Sequence, residues 1–408
     1  MNSTGTITTD RPPLNNERIH WIENGEERSA LWRSESGWPA PKKVVPADDT
    51  MNADTAWRLA LEGTGLLWRG DFQNARQLLQ ALVRRIEHKG GRNKSAKARA
   101  KAAARPATLT EQFHRHRLAQ LQRARTLAML LIPFEADYTI PLRRAPDVLG
   151  ACTEAYGAGG EAFVASLREL LGVIGAHEWR RKGVFIPALD ERIHPWYGVF
   201  SPVRGEYVEL VAQVPLPAVA GSVPSVAFDI GAGTGVLSAV LAHRGLEKVI
   251  ATDMDERALG CARANLERLG LQGQVDVVKA DLFPQGRARL VVCNPPWLPG
   301  KPSSSIEYAV YDPDSRMLRG FLAGLKEHLL EGGEGWLILS DLAEHLGLRS
   351  REQLLGWIAD AGLQVAGRHD VRPVHPKASD PDDPLAAARM REVTSLWRIC
   401  TSGPEAIQ

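Results

Sequence analysis

The stretch F-D-I-G-A-G-T-G, Phe228 to Gly235, constrains this chain more than any other. It follows the apolar run Val226-Ala227-Phe228, which reads as a buried parallel strand, and precedes V-L-S-A-V-L-A-H-R, which reads as a helix. Gly231, Gly233 and Gly235 stand at alternate positions, so the backbone can turn tightly and lie close to a ligand at a helix N-terminus. The spacing is G-x-G-x-G and not the G-x-G-x-x-G of the dinucleotide fingerprint. Asp229 lies just ahead of the first glycine. A second acid, Asp253, closes the next strand, K-V-I-A-T-D, about twenty residues on, where a carboxylate can hold ribose hydroxyls.

From Val226 onward apolar runs and helical patterns alternate. The expected order is strand 226–230, helix 234–244, strand 248–253, helix 256–269, strands 274–279 and 290–293, helix 315–330, strand 335–340 and helix 351–361. Such alternation argues a parallel, doubly wound α/β sheet with helices on both faces. The tail supplies two more strands, in G-L-Q-V-A-G-R-H-D-V and V-T-S-L-W-R-I. Asp255 is placed to cap the helix that follows it.

Directly after the strand Leu290–Cys293 comes Asn294-Pro295-Pro296-Trp297. Together with D-x-G-x-G-x-G upstream, this resembles the Rossmann-like S-adenosylmethionine-dependent methyltransferases that carry an N/D-P-P-aromatic motif. The resemblance spans roughly residues 198–402. It implies a seven-stranded methyltransferase sheet whose last strand is inserted antiparallel, and S-adenosyl-L-methionine as the cofactor. It also implies a planar, conjugated nitrogen as acceptor: an exocyclic amine of a nucleobase or a glutamine side-chain amide. In that family the Asn side-chain oxygen and the backbone carbonyl of the first proline accept hydrogen bonds from the amine; here these are Asn294 and Pro295. Pro296 stiffens the turn, Trp297 would stack on the planar group, and no metal is required. For the cofactor the resemblance implies Asp229, Gly231, Gly233 and Gly235 in the loop and Asp253 on the ribose. Asp281 and Leu282 would lie beside the adenine, with Phe283. The segment Gly198–Pro202, with Phe200, resembles the pocket wall that precedes this fold.

The remainder is less specific. A length of 408 residues predicts more than one domain. Apolar content of 44% with 24% charged residues describes a globular protein, and no stretch has the ~18 apolar residues of a membrane span. The N-terminus lacks a secretory pattern, and the four cysteines form no C-x-x-C pair, so reduced thiols in a cytoplasm are expected. Residues 1–50 read as a polar, partly mobile segment, although Trp21, Trp32 and Trp38 are costly where nothing is touched. Residues 51–182 read as a helical N-terminal domain, with a Gly70-Asp71 break between two helices and Pro133 in a loop. The methyltransferase domain is expected over 183–408.

Residues 84–105 hold nine Lys or Arg against one Glu, and Arg115, Arg117, Arg123 and Arg125 follow on a helix. That stretch is either an electrostatic footprint for phosphate backbone or a solvated loop. Three functions stay open. The first is N-methylation of a nucleic acid base, in RNA, with residues 84–125 meeting the phosphates. The second is methylation of a protein glutamine amide, whose enzymes carry Tyr where this chain has Trp297. The third is a non-catalytic binding module that keeps the fold.

Overall fold

The computed structural model describes residues 17–92, 107–203, 205–217, 225–302, 305–373, 383 and 385–402. The chain divides into two compact units between Glu178 and Trp179.

The N-terminal unit departs from the helical domain expected. Six strands, β1 (Arg18–Glu23), β2 (Glu26–Trp32), β3 (Lys43–Ala47), β4 (Thr64–Trp68), β5 (Leu130–Phe134) and β6 (Phe163–Ser166), form one mixed sheet in the order β1-β2-β6-β5-β4-β3. Helices α1 (Ala53–Leu61), α2 (Phe72–Arg92), α3 (Leu109–Leu127), α4 (Leu149–Tyr156) and α5 (Leu167–Lys182) are interleaved with them. Three of these strands fall where the sequence suggests helix or loop, and T-G-L-L-W, L-L-I-P-F and F-V-A-S are buried at every position. A run buried on both faces shows no alternation, and at four or five residues it cannot be told from a helical segment by period.

Pro133 sits within β5, pairing with Val164 across the sheet. The Gly70-Asp71 break joins a strand to a helix: the Asp71 carboxylate accepts the Gln73 N–H at 2.9 Å and caps α2. The early segment is built into this unit as well. Trp21 and Trp32 pack with Ile19, Val44, Leu67, Leu131 and Val164, and the Trp32 indole donates to the Trp38 carbonyl at 2.9 Å. Residues 1–16 and the middle of the basic stretch, 93–106, lie outside the described residues. Of its flanks, Arg85 pairs with Asp54 and Arg123 with Glu87, each at 3.0 Å.

One half-buried acid in this unit has a measurable consequence. Burial pushes the Glu169 carboxyl up to about 7, against hydrogen bonds from the Glu35 and Ser36 N–H groups and the Ser34 hydroxyl. A carboxyl raised on folding contributes stability that is complete below its unfolded value and is lost as pH rises through the folded one. Glu169→Gln, which keeps a neutral acceptor, should flatten the fall in stability between about pH 4.5 and 7. It should also leave the protein on the order of 2 kcal/mol more stable at pH 8, as read by urea unfolding at several pH values. An unchanged pH profile would refute this.

The C-terminal unit follows the alternation read above. A hairpin of β7 (Val184–Ile186) and β8 (Glu191–Ile193) leads into α6 (Glu206–Gln213), a helix that the Pro-rich composition around it concealed. Next come β9 (Val226–Ile230), α7 (Val236–His243), β10 (Lys248–Asp253), α8 (Glu256–Arg268), β11 (Val275–Lys279) and β12 (Ala288–Cys293). The chain ends in α9 (Arg316–His328), β13 (Leu329–Ser340), α10 (Leu342–His345), α11 (Arg351–Asp360), β14 (Leu363–Val371), α12 (Ala386–Arg389) and β15 (Thr394–Thr401). The sheet order is β11-β10-β9-β12-β13-β15-β14, with β15 antiparallel to both its neighbours. Among the described residues, no helix is long and apolar enough to cross a membrane.

This order places the site. The chain winds outward from β9 in one direction through β10 and β11, and in the other through β12 and β13, so β9 and β12 meet at a topological switch point. Ligands of open α/β sheets bind beyond the carboxyl ends of such strands. Register sharpens the statement. Ile230 is paired with both Thr252 and Cys293, so the next residues, Gly231, Asp253 and Asn294, leave the sheet edge in one row. Strands lie roughly 4.8 Å apart, so the row spans about 10 Å.

Candidate active site

The glycine loop is held from beneath. Gly231 and Ala232 both donate their N–H to the Thr252 carbonyl, at 2.9 and 2.8 Å. The Thr252 hydroxyl donates to the Leu282 carbonyl at 2.6 Å. Asp253 accepts the Gly233 N–H on one carboxylate oxygen and the Asp255 N–H on the other, each at 3.0 Å. Burial raises its carboxyl above the ordinary range, against those amide donors. Asp255 caps α8 as expected, accepting from the Arg257 N–H.

Asp229 lies under the loop, 1% exposed, where its carboxylate accepts from the Ser238 hydroxyl on α7 at 2.5 Å. Burial pushes it up to about 6, opposed by that bond. Its visible task is to fasten β9 to the first turn of α7, which fixes the loop between them. Gly231 has φ +77°, and a Cβ there would come 2.6 Å from the Met317 methyl. Gly233, at φ +54°, faces open space: an added Cβ would meet nothing within 4 Å. A cradle bounded by a tight glycine turn and the Asp253 carboxylate fits the ribose and amino-acid end of S-adenosylmethionine.

The other expected cofactor residues bracket this cradle. Leu282, with φ +73°, is half-buried against the core and reaches Gly320 of α9. Asp281 is exposed and paired with Arg316 at 3.0 Å. On the opposite flank Val199 packs on Ala258 and Cys261 of α8, and Gly198 lies against Arg257. Phe200, half-buried, follows directly. The Asn265 carboxamide ties this flank to the loop, donating to the His194 and Thr234 carbonyls at 3.3 and 3.1 Å and accepting the His194 N–H. His194 is bonded through its ring to the Arg180 carbonyl, a structural role.

The N-P-P-W turn closes the row. The Trp297 indole N–H donates to the Asn294 side-chain oxygen at 2.8 Å, and its ring is half-buried against the cores on both faces of the sheet. Pro295 is buried between them. Behind the turn stands Arg349, 3% exposed, whose guanidinium reaches the Trp297 carbonyl at 3.4 Å while its Nε is buried without a partner. Asp312 lies near it, 5% exposed, and accepts the N–H groups of Met317 and Leu318 at the start of α9. Asp314 and Ser315, with φ +56° and +52°, carry the chain from Asp312 into that helix. Two adjacent non-glycine residues in this region hold strain of the sort that gathers at functional loops.

Ser238, Asn265, Asp312, Met317 and Arg349 were not singled out from sequence. Asn265, Met317 and Arg349 act through partners distant along the chain, whereas Ser238 and Asp312 bond within nine residues but in a loop geometry that spacing alone does not announce.

Residues 197–351 match the model of the family described as "Methyltransferase small domain". A ribosomal protein L11 methyltransferase from Pelotomaculum thermopropionicum is 44% identical over 69 residues, covering 16% of this chain and 22% of that protein. A release factor glutamine methyltransferase from Mycolicibacterium smegmatis is 37% identical over 129 residues, 30% of this chain and 44% of that protein. Ribosomal RNA small subunit methyltransferase C from an Enterobacter species is 34% identical over 110 residues, 26% and 29% of the two chains. The chain thus spans less than half the length of each of these relatives.

Proposed function

We propose, from the membership of residues 197–351 in the class I S-adenosylmethionine-dependent methyltransferases, that this chain methylates the exocyclic amine of a nucleic acid base, in RNA. One observation carries the chemistry: Gly231, Asp253 and Asn294 leave the sheet edge in a single row. The residues suited to the methyl donor and the residue suited to the acceptor are thereby held side by side on rigid strands.

The bound cofactor would supply an electrophilic methyl on a positively charged sulfur, which departs as a neutral thioether. The rest is positioning, since an in-line displacement chiefly needs alignment. An exocyclic amine has its lone pair delocalised into the ring. The Asn294 side-chain oxygen and the Pro295 carbonyl, each accepting one amine hydrogen, draw the nitrogen toward a geometry with the lone pair exposed. After transfer the nitrogen sheds one proton to solvent. Neither proline carries an N–H to compete for these acceptors.

The RNA reading rests on the basic residues 84–125, including Arg115, Arg117 and Arg125 on α3, and on a relative named for ribosomal RNA. The glutamine-amide reading is favoured by a different observation, a release factor methyltransferase with the larger matched share of its length. Purified protein with tritiated S-adenosylmethionine, offered total RNA and total protein, separates the two. Label in nuclease-sensitive material is expected, with RNA affinity falling steeply with salt and less steeply once residues 84–105 are deleted. Label confined to protease-sensitive material would replace RNA with a protein amide.

A further inference from the structure

A carboxamide has an acceptor end and a donor end of nearly equal size, and rotation by a half-turn exchanges them. Asn294 can serve an amine only with its oxygen presented; a flipped group would set N–H against N–H. The two residues that follow it are prolines and offer no backbone donor to settle the choice. The group that does settle it is the Trp297 indole, 2.8 Å away, which donates only and therefore requires the oxygen. Trp297 is itself held at both ends, its ring wedged between the two cores and its carbonyl reached by the buried Arg349. A carbonyl oxygen has two lone pairs, so taking the indole hydrogen leaves one for the substrate.

We propose that Trp297 is a positioning residue: its indole N–H selects the orientation of the Asn294 carboxamide and so sets the acceptor for the amine. Tyrosine or phenylalanine at this place has no ring N–H and cannot do this. The inference rests on Asn294 being the acceptor, as above, but is tested apart from it.

Trp297→Phe removes the N–H and keeps an aromatic ring. Its kcat on whichever pool the unaltered protein labels should fall roughly 10- to 100-fold, the effect of losing one directed acceptor. KM and the dissociation constant for S-adenosylmethionine should stay within about threefold, because phenylalanine keeps an aromatic face for the expected stacking and the lost N–H acts on the chemical step. In Asn294→Asp both carboxylate oxygens accept, so orientation no longer matters. Adding Trp297→Phe to that background should change kcat less than about threefold, which makes the pair strongly coupled. Equal losses in both backgrounds would mean that Trp297 merely supports the site, and would overturn the proposal.

Two further measurements cover a poorly folding or inactive variant. Benzothienylalanine at position 297 keeps the bicyclic volume with sulfur in place of N–H, and full activity there would also overturn it. In ¹⁵N-tryptophan protein, the indole resonance that disappears in Trp297→Phe should lose its hydrogen-bond shift in Asn294→Ala. An unmoved resonance would show that the contact is absent, whatever the substrate proves to be. Turnover that survives in Asn294→Ala would instead count against the acceptor role itself.

Discussion

Asn294→Ala should abolish turnover, lowering kcat by about a thousandfold or more, while S-adenosylmethionine should still bind within about threefold of its original affinity. The expectation follows from where the side chain stands. In the proposed site its oxygen is the movable half of the acceptor pair, just after β12, whereas the proposed cofactor cradle is built by β9, β10 and the loops after them. Removing the carboxamide leaves Pro295 as the lone acceptor and the amine lone pair in conjugation. It also orphans the Trp297 indole, at a cost of about 1 kcal/mol in stability. Calorimetry for the cofactor with single-turnover transfer for the chemistry separates the terms. Parallel loss of both would mean that the residue holds the cofactor.

The second large effect lies in the loop. Gly235→Val should destabilise the protein by roughly 3 kcal/mol and weaken S-adenosylmethionine binding by about a hundredfold or more. Gly235 has φ +77°, which a β-branched residue all but never adopts, and a Cβ would come 3.2 Å from the Ala262 Cβ and 3.3 Å from its Cα. Relief would push α7 away from α8. Gly233→Ala is the informative control: it also has positive φ, but its side chain would enter open space. It should keep most of the stability, a loss of about 1 kcal/mol, and still impair binding if that space is the proposed cradle. Thermal unfolding with cofactor titration reads both quantities. Full cofactor affinity in Gly233→Ala would remove the cradle assignment.

These expectations come largely from stretches whose meaning was open in the sequence. F-D-I-G-A-G-T-G and N-P-P-W are local, and the strands ahead of them are long enough, and regular enough in their alternation with helices, to be read without a partner. The same reading fails in the N-terminal unit. T-G-L-L-W and F-V-A-S are short, wholly buried runs, and only their neighbours in the sheet make them strands. α2 shows its period plainly, with Phe72, Ala75, Leu78, Leu79 and Leu82 all buried, and α3 reads as a helix from its unbroken run of helix-forming residues. Within the site the split has the same cause. Asn294 is announced by the prolines after it, while Arg349 meets Trp297 across 52 residues of chain and Asn265 meets His194 across 71. Nothing near Arg349 in sequence marks it as the support of a turn on another strand.

Thr252 links this architecture to time as well as to space. Its carbonyl receives two amides of the glycine loop and its hydroxyl is spent on Leu282, so a single fully buried residue fastens both margins of the cradle. Two margins referred to one residue of β10 keep their spacing from a common origin: a shift of Thr252 along its strand is felt on both sides at once, while loss of its hydroxyl alone frees only the Leu282 side.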